Sequence, residues 1–250
     1  MSLARVYSRA NVGVAAPEVE VEVHVGNGLP KVSLVGLPQT AVRESKDRVK
    51  AALLNAGFEF PDGAVTISLA PADLPKEGSR FDLPIALGIL AASAQVDDRR
   101  FGEFEFIGEL SLSGQLKPVR GVLPMAIRAH AADRGLVAPV DNGAEAALAG
   151  GERVFCGSSL LGVVGWLHGR EDLPRAEAAP AVAEDRAPDL ADVQGQSVAR
   201  RALEVAAAGA HNLLMNGPPG TGKTMLASRL PGILPPMTRA EALDAAAVAS

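Results

Sequence analysis

One stretch restricts the possible folds more than any other: Gly217-Pro218-Pro219-Gly220-Thr221-Gly222-Lys223-Thr224. It fits G-x-x-x-x-G-K-[ST], the phosphate-binding P-loop pattern, which works as the turn from a strand into a helix. The flanks suit that setting. His211 to Asn216 predicts a short apolar strand leading in, and Met225 to Leu230 the first turns of a helix leading out. Gly217, Gly220 and Gly222 permit backbone conformations and close approaches that a Cβ would block. Loop N–H groups and the helix N-terminus can then converge on phosphate oxygens. Lys223 would reach the β- and γ-phosphates, and the Thr224 hydroxyl would ligate Mg²⁺. The candidate nucleotide site is therefore Gly217, Pro218, Pro219, Gly220, Thr221, Gly222, Lys223 and Thr224, with Thr224 as the metal ligand.

The remainder of the 250 residues reads as alternating strands and helices. Glu18 to Val25 alternates strictly, which predicts a half-buried strand with Val19, Val21 and Val23 inward. The outward Glu18, Glu20 and Glu22 are a solvated face rather than a metal site. Strands are expected at Ala4 onward, Lys31–Leu37, Ala64–Leu69, Phe104–Leu112, Leu136–Ala138 and Arg153–Phe155. Helices are expected at Pro38–Asn55, Leu83–Ala94, Val122–Asp133, Ala144–Ala149 and Ser158–Leu167. The Leu83–Ala94 segment is apolar all round, so it should be buried on most sides. Hydrophobic content of 48% supports a sizeable core, and 4% aromatics make it aliphatic. Net charge is −5, so any nucleic-acid contact must be a local patch. Cys156 is the single cysteine and reads as a small core residue. With no apolar signal core and no apolar run of membrane-spanning length, a soluble cytoplasmic protein without membrane contact is expected.

From Gly169 to Pro188 the composition shifts to Ala, Glu, Pro, Arg and Asp without a period, which reads as a linker over 169–187. It separates an α/β domain, 1–168, from a P-loop segment, 188–250. In the latter, Gln196–Gly209 predicts a helix with Val198, Ala202, Val205 and Ala206 on its inner face. Thr238–Ala249 predicts another, opened by a capping box of Thr238 and Glu241.

Two groups of motifs resemble one family. Asp189 to Gln196, Ala202-Leu203-Glu204, Ala206 to Met215, the P-loop and Leu230 to Pro236 are similar to magnesium-chelatase-type AAA+ ATPases. Gly28-Leu29-Pro30, Val35-Gly36-Leu37-Pro38, Val42-Arg43-Glu44-Ser45 and Asp73 to Pro84 complete a resemblance to the bacterial YifB/ComM family. The resemblance implies an α/β fold with an N-terminal ribosomal-S5-domain-2/Lon-protease-like domain, followed by the beginning of a P-loop AAA+ domain. It implies ATP and Mg²⁺ as cofactors. It also implies that the full-length form is a homo-hexameric ATPase acting on DNA, a helicase that promotes branch migration. Alternatives are a chelatase-type motor acting on a porphyrin-inserting partner, or a non-catalytic binding and assembly module.

Two departures qualify the expectation. Lon-type proteases use a Ser–Lys dyad; here Arg80 stands where the serine falls, with Ser79 one place off, and Val119 stands where the lysine falls. A serine nucleophile needs a base within reach, so the domain reads as non-proteolytic. Lys76, Arg80, Lys117 and Arg120 then become candidates for a basic, DNA-facing loop surface. Second, no apolar strand ending in Asp-Glu follows Thr224. Glu241 and Asp244 sit on a helical pattern, so the chain reads as the N-terminal half of a longer ATPase, and no catalytic residue is assigned within it.

Overall fold

A computed structural model describes residues 2–179 and 188–250. In chain order its strands are β1 (Ser2–Arg9), β2 (Glu18–Gly26), β3 (Lys31–Val35), β4 (Ala64–Ala70), β5 (Phe104–Phe106), β6 (Glu109–Leu110), β7 (Leu116–Lys117), β8 (Gly135–Pro139) and β9 (Val154–Gly157). The helices are α1 (Thr40–Asn55), α2 (Asp82–Ala92), α3 (Val122–Ala131), α4 (Gly143–Ala146), α5 (Leu160–Leu167), α6 (Ser197–Ala208), α7 (Lys223–Ala227) and α8 (Arg239–Ala249). The chain divides into two compact units, Met1–Ala179 with Leu243–Ser250, and Pro180–Ala242.

The first unit is a mixed α/β structure around a seven-stranded sheet in the order β3-β4-β2-β1-β5-β8-β9. β2 runs antiparallel to both of its neighbours, and the remaining pairings are parallel. The alternation in β2 sets its orientation: Val19, Val21 and Val23 are fully buried. Its carboxylates face cations on the other side. Arg5 of β1, opposite Glu22 in register, pairs with Glu20 and Glu22. Arg134 reaches Glu18 at 2.6 Å.

α2 is buried at every position except Ala91, which explains why its sequence lacks a polar stripe. It lies so close to the sheet that a Cβ on Gly88 would stand 2.6 Å from Val23 Cγ2. One apolar cluster joins α1, α2 and α5 to the sheet, and a second gathers α3, α4 and Cys156. Cys156 is buried and unpaired, and burial pushes its thiol up. Ser159 caps α5, its hydroxyl accepting from the Gly162 N–H.

Carboxylates are buried in two places the sequence did not suggest. Glu105 of β5 is fully buried and takes two hydrogen bonds from Arg9, at 2.6 and 2.7 Å. Arg9 also donates to the Ala16 carbonyl, while Arg134 approaches Glu105 at 3.4 Å and stacks over Tyr7. Burial pushes the Glu105 carboxyl up, and the hydrogen bond and charge of Arg9 oppose it. Asp82, at the start of α2, is likewise fully buried, held by Arg48 at 2.9 and 3.1 Å and by the Leu110 N–H.

Several boundaries differ from the sequence reading. The expected strand Phe104–Leu112 is two strands, because the Gly108 backbone bonds Arg80 and Leu83 rather than a strand, and β6 leaves to pair with β7. The stretch read as a linker is described only to residue 179, and its first part lies against β9. The Cys156 N–H donates to the Pro174 carbonyl and the Ala176 N–H to the Val154 carbonyl, with Leu173 and Ala176 buried. Residues 180–187 of that stretch lie outside the described residues.

The second unit is held by Leu190, Val193, Leu203 and Leu226, with Ala199, Met215, Leu230 and Ile233 packed against them. The inner face of α6 is therefore Leu203, Ala206 and Ala207; of the expected face only Ala206 is buried, while Val198 is 83% exposed and Val205 47%. The strand expected at His211–Asn216 does not form. A parallel strand needs a neighbour to take its N–H and C=O groups, and no other strand occurs among residues 188–250. Thr238 and Glu241 form the expected capping box, Glu241 Oε2 accepting from the Thr238 N–H at 2.7 Å and the Glu241 N–H donating to Thr238 Oγ1. No helix of the described residues is long and apolar enough to cross a membrane.

Candidate functional site

The Gly217–Thr224 loop lies between an extended segment and the short helix α7. Gly220 and Gly222 hold φ at +82° and +80°, a region L side chains rarely adopt. At Gly222 a Cβ would also stand 3.2 Å from Gln196 Nε2. The loop is braced from within and from α6's leading end. Thr221 Oγ1 donates to the Pro218 carbonyl at 2.9 Å, and Gln196 Nε2 donates to the Thr221 carbonyl at 3.1 Å. Lys223 folds over the loop, its ammonium donating to the Gly217 and Pro218 carbonyls, each at 2.8 Å.

Helix geometry supplies the rest. The Leu226 N–H bonds the Gly222 carbonyl, starting α7, and Leu226 anchors the turn in the unit's core. Among the described residues, no backbone N–H from Gly220 to Thr224 has an intramolecular acceptor. Such donors are ordinarily satisfied, so the arc of N–H groups and the ammonium suit a polyanion. The Thr224 hydroxyl is exposed on the first turn of α7. The loop borders a cavity of about 630 Å³ whose walls include Val198, Ala199, Leu213, Met215 and Leu226. No Asp or Glu lines it. Glu241 is occupied in its capping box, and the Thr238 hydrogen bonds hold its carboxyl below the usual range. Among the described residues no three His, Cys, Asp or Glu side chains gather to hold a metal ion, so Thr224 is the one protein ligand the sequence assigns to Mg²⁺.

The positions weighed for a Ser–Lys dyad are arranged otherwise. Ser79 Oγ donates to Glu109 Oε2. The Arg80 guanidinium is 5% exposed and bonds the Glu77 and Arg120 carbonyls, tying the two stretches together; burial pulls it down to about 10. Val119 is fixed through its backbone by Asn142, at 2.9 Å in each direction. Lys76 is fully buried, its ammonium donating to the Pro71 carbonyl, and desolvation lowers its pKa. The proposed basic surface of Lys76, Arg80, Lys117 and Arg120 is thus corrected: only Lys117 and Arg120 are exposed. The long, half-apolar stems of Lys76 and Arg80 made burial possible, and carbonyl oxygens receive their charges.

Comparison with known proteins places these features. Residues 21–142 match the family described as subunit ChlI of Mg-chelatase, and residues 189–250 match the family magnesium chelatase, subunit ChlI. The competence protein ComM of Haemophilus influenzae is 53% identical over all of this chain, which covers 50% of it. The uncharacterized protein YifB of Escherichia coli is 48% identical over all of this chain, which covers 49% of it. An uncharacterized Mycobacterium tuberculosis protein is 45% identical with the same full coverage of this chain and 50% of its own length. The chain spans about half the length of the curated relatives it matches, and it belongs to the magnesium-chelatase-like ComM/YifB family.

Proposed function

We propose that Gly217–Thr224 is a P-loop that binds ATP with Mg²⁺, and that the full-length protein is an AAA+ ATPase. The observation carrying this is the arc of unbonded N–H groups from Gly220 to Thr224 beneath the Lys223 ammonium. Lys223 would exchange its carbonyl partners for β- and γ-phosphate oxygens. Thr224 would contribute one oxygen to Mg²⁺, which neutralises developing charge in phosphoryl transfer. The cavity beside the loop would receive the base and ribose. Hydrolysis also needs a carboxylate that orients water, and none lines this cavity, so the 250-residue chain should bind without appreciable turnover.

The wider role rests on the resemblance: a cytoplasmic, homo-hexameric motor that moves DNA strands, in keeping with a relative named as a competence protein. In that reading 1–168 is a Lon/S5-like domain without peptidase activity, 169–187 a linker and 188–250 the start of the motor. The family descriptions favour one alternative, a chelatase-type motor serving a porphyrin-inserting partner. Titration with a fluorescent ATP analogue tests the site. Binding should be weak, Mg²⁺-dependent and reduced at least about tenfold in Lys223→Ala, the loss of a charge-assisted contact worth about 1.5–3 kcal/mol. Equal binding by the variant would remove the P-loop assignment. Peptide substrates should remain intact with the wild type, and cleavage lost in Ser79→Ala would refute the non-proteolytic reading.

A further inference from the structure

The geometry points to a second binding surface, in the first unit: the cleft between α1 and the Phe60–Gly63 turn is a phosphate-backbone contact for single-stranded nucleic acid. This rests on the reading of the protein as a DNA-acting motor and gives that partner a place on the chain. The cleft holds about 420 Å³, and its lining includes Lys31, Lys46 and Lys50, the apolar Val32, Leu54 and Phe60, and two carboxylates, Asp47 and Asp62.

Three features carry it. First, Lys31, Lys46 and Lys50 are all exposed, and among the described residues none is in an ion pair. Exposed cations elsewhere on the chain, Arg43 and Lys117 among them, are likewise outside the ion pairs of the described residues, so what sets these three apart is their place around one cleft. Second, their spacing suits a repeating anion. Lys46 and Lys50 lie one turn apart on the same helix face, about 6 Å along the axis, comparable to the step between successive phosphates of an extended strand. Lys31, at the start of β3, faces them across the cleft. Third, the lysines surround an aromatic surface: Lys50 Nζ stands 5.3 Å from the centroid of the half-buried Phe60 ring.

Point charges on flexible stems contact backbone phosphates without reading sequence. Lys50 covers the Phe60 ring in this structure; turned to a phosphate, it would leave the ring to stack a base of an unpaired strand. The apolar walls, Val32, Leu54 and Phe60, have no use for a duplex, whose bases are already stacked. Asp47 and Asp62 weaken the local field, so binding here should be modest and strongly dependent on salt.

The test is fluorescence anisotropy of the 250-residue chain with a labelled mixed-sequence single strand across a salt series. The wild type should bind, and Lys31→Gln/Lys46→Gln/Lys50→Gln should bind at least about tenfold more weakly at low salt, with a salt slope lower by about 2, since each contact contributes about 0.7 on single strands. Phe60→Leu should lower affinity while leaving the slope unchanged. Arg128→Gln/Arg170→Gln, exposed elsewhere on the same unit, should bind as the wild type does. The proposal falls if the cleft variant keeps wild-type affinity and slope, if the control pair weakens binding equally, or if polyglutamate displaces the strand as well as unlabelled strand does. Strand binding that survives the cleft variant would remove this surface and leave the DNA-acting reading intact. A wild type with no salt-dependent strand binding would remove both. ATP-analogue binding, measured on the same variants, should not change.

Discussion

The two units carry sequences of similar apolar content but use them differently. In the first, a sheet receives helices along its length, and α2 alone buries nearly all of its residues. In the second, Leu190, Val193, Leu203 and Leu226 form the buried cluster of a helical segment, with Ala206 and Ala207 also buried, and Val198, Leu214 and Met237 stand exposed. The difference teaches what a strand contributes beyond its own residues. A sheet offers a surface on which several elements bury area at once. Without neighbours to bond it, the segment before the Gly217–Thr224 loop stays irregular, and the elements around it share a core of only four side chains. Stability should therefore be concentrated in the first unit and local to a few residues in the second.

The largest effect that would sharpen this contrast is expected at Glu105. Glu105→Ala leaves Arg9 buried without its carboxylate, at a cost of about 3–5 kcal/mol. Trp166, the only tryptophan, lies in the first unit, so urea unfolding followed by its fluorescence should show the midpoint fall. An unchanged midpoint would mean that the pair contributes nothing net. Next is Leu203→Ala, which should cost about 2–3 kcal/mol, toward the low end for a core leucine because its few neighbours can collapse. Hydrogen exchange should show α6 losing protection while the Trp166 transition stays in place. A shift of both together would break the comparison, since it would make the chain one cooperative unit. The smallest effect belongs to Val198→Lys, within about 0.5 kcal/mol as for an ordinary surface change; a large loss would restore the inner face expected from the sequence.

What could be read in advance follows from how local the determinants are. The β2 alternation, the apolar run of α2 and the Thr238–Glu241 box each depend on neighbours within a few residues, and each lies where its pattern indicates. The glycines of the 217–224 loop were legible for the same reason. The α6 face was not. Val198 and Val205 are more hydrophobic than Ala207, but the choice of face is made by Leu190, Val193 and Leu226, which are distant in sequence. Lys76 and Arg80 were misplaced because charge alone suggests exposure, whereas their stems are buried and carbonyl oxygens from Pro71, Glu77 and Arg120 meet their donors. The lysine cleft combines β3, α1 and the turn before β4, so the charged face of α1 shows only part of it in sequence. The Arg9–Glu105 pair spans 96 residues, and its only trace in sequence is a charge inside the apolar segment Phe104–Phe106.

The strip Leu173–Ala176, hydrogen-bonded along β9, has a further consequence. It occupies the outer side of the last strand, so that margin offers no further rung. β3, at the opposite margin, bonds only β4 among the described strands. A sheet finished on one side can be lengthened once and no more. Were two molecules to join through it, β3 against β3, each would present its finished side outward. The result would be a closed pair with a twofold axis, not a ribbon that recruits a third, so four residues of irregular chain past α5 act as a terminator against fibre growth.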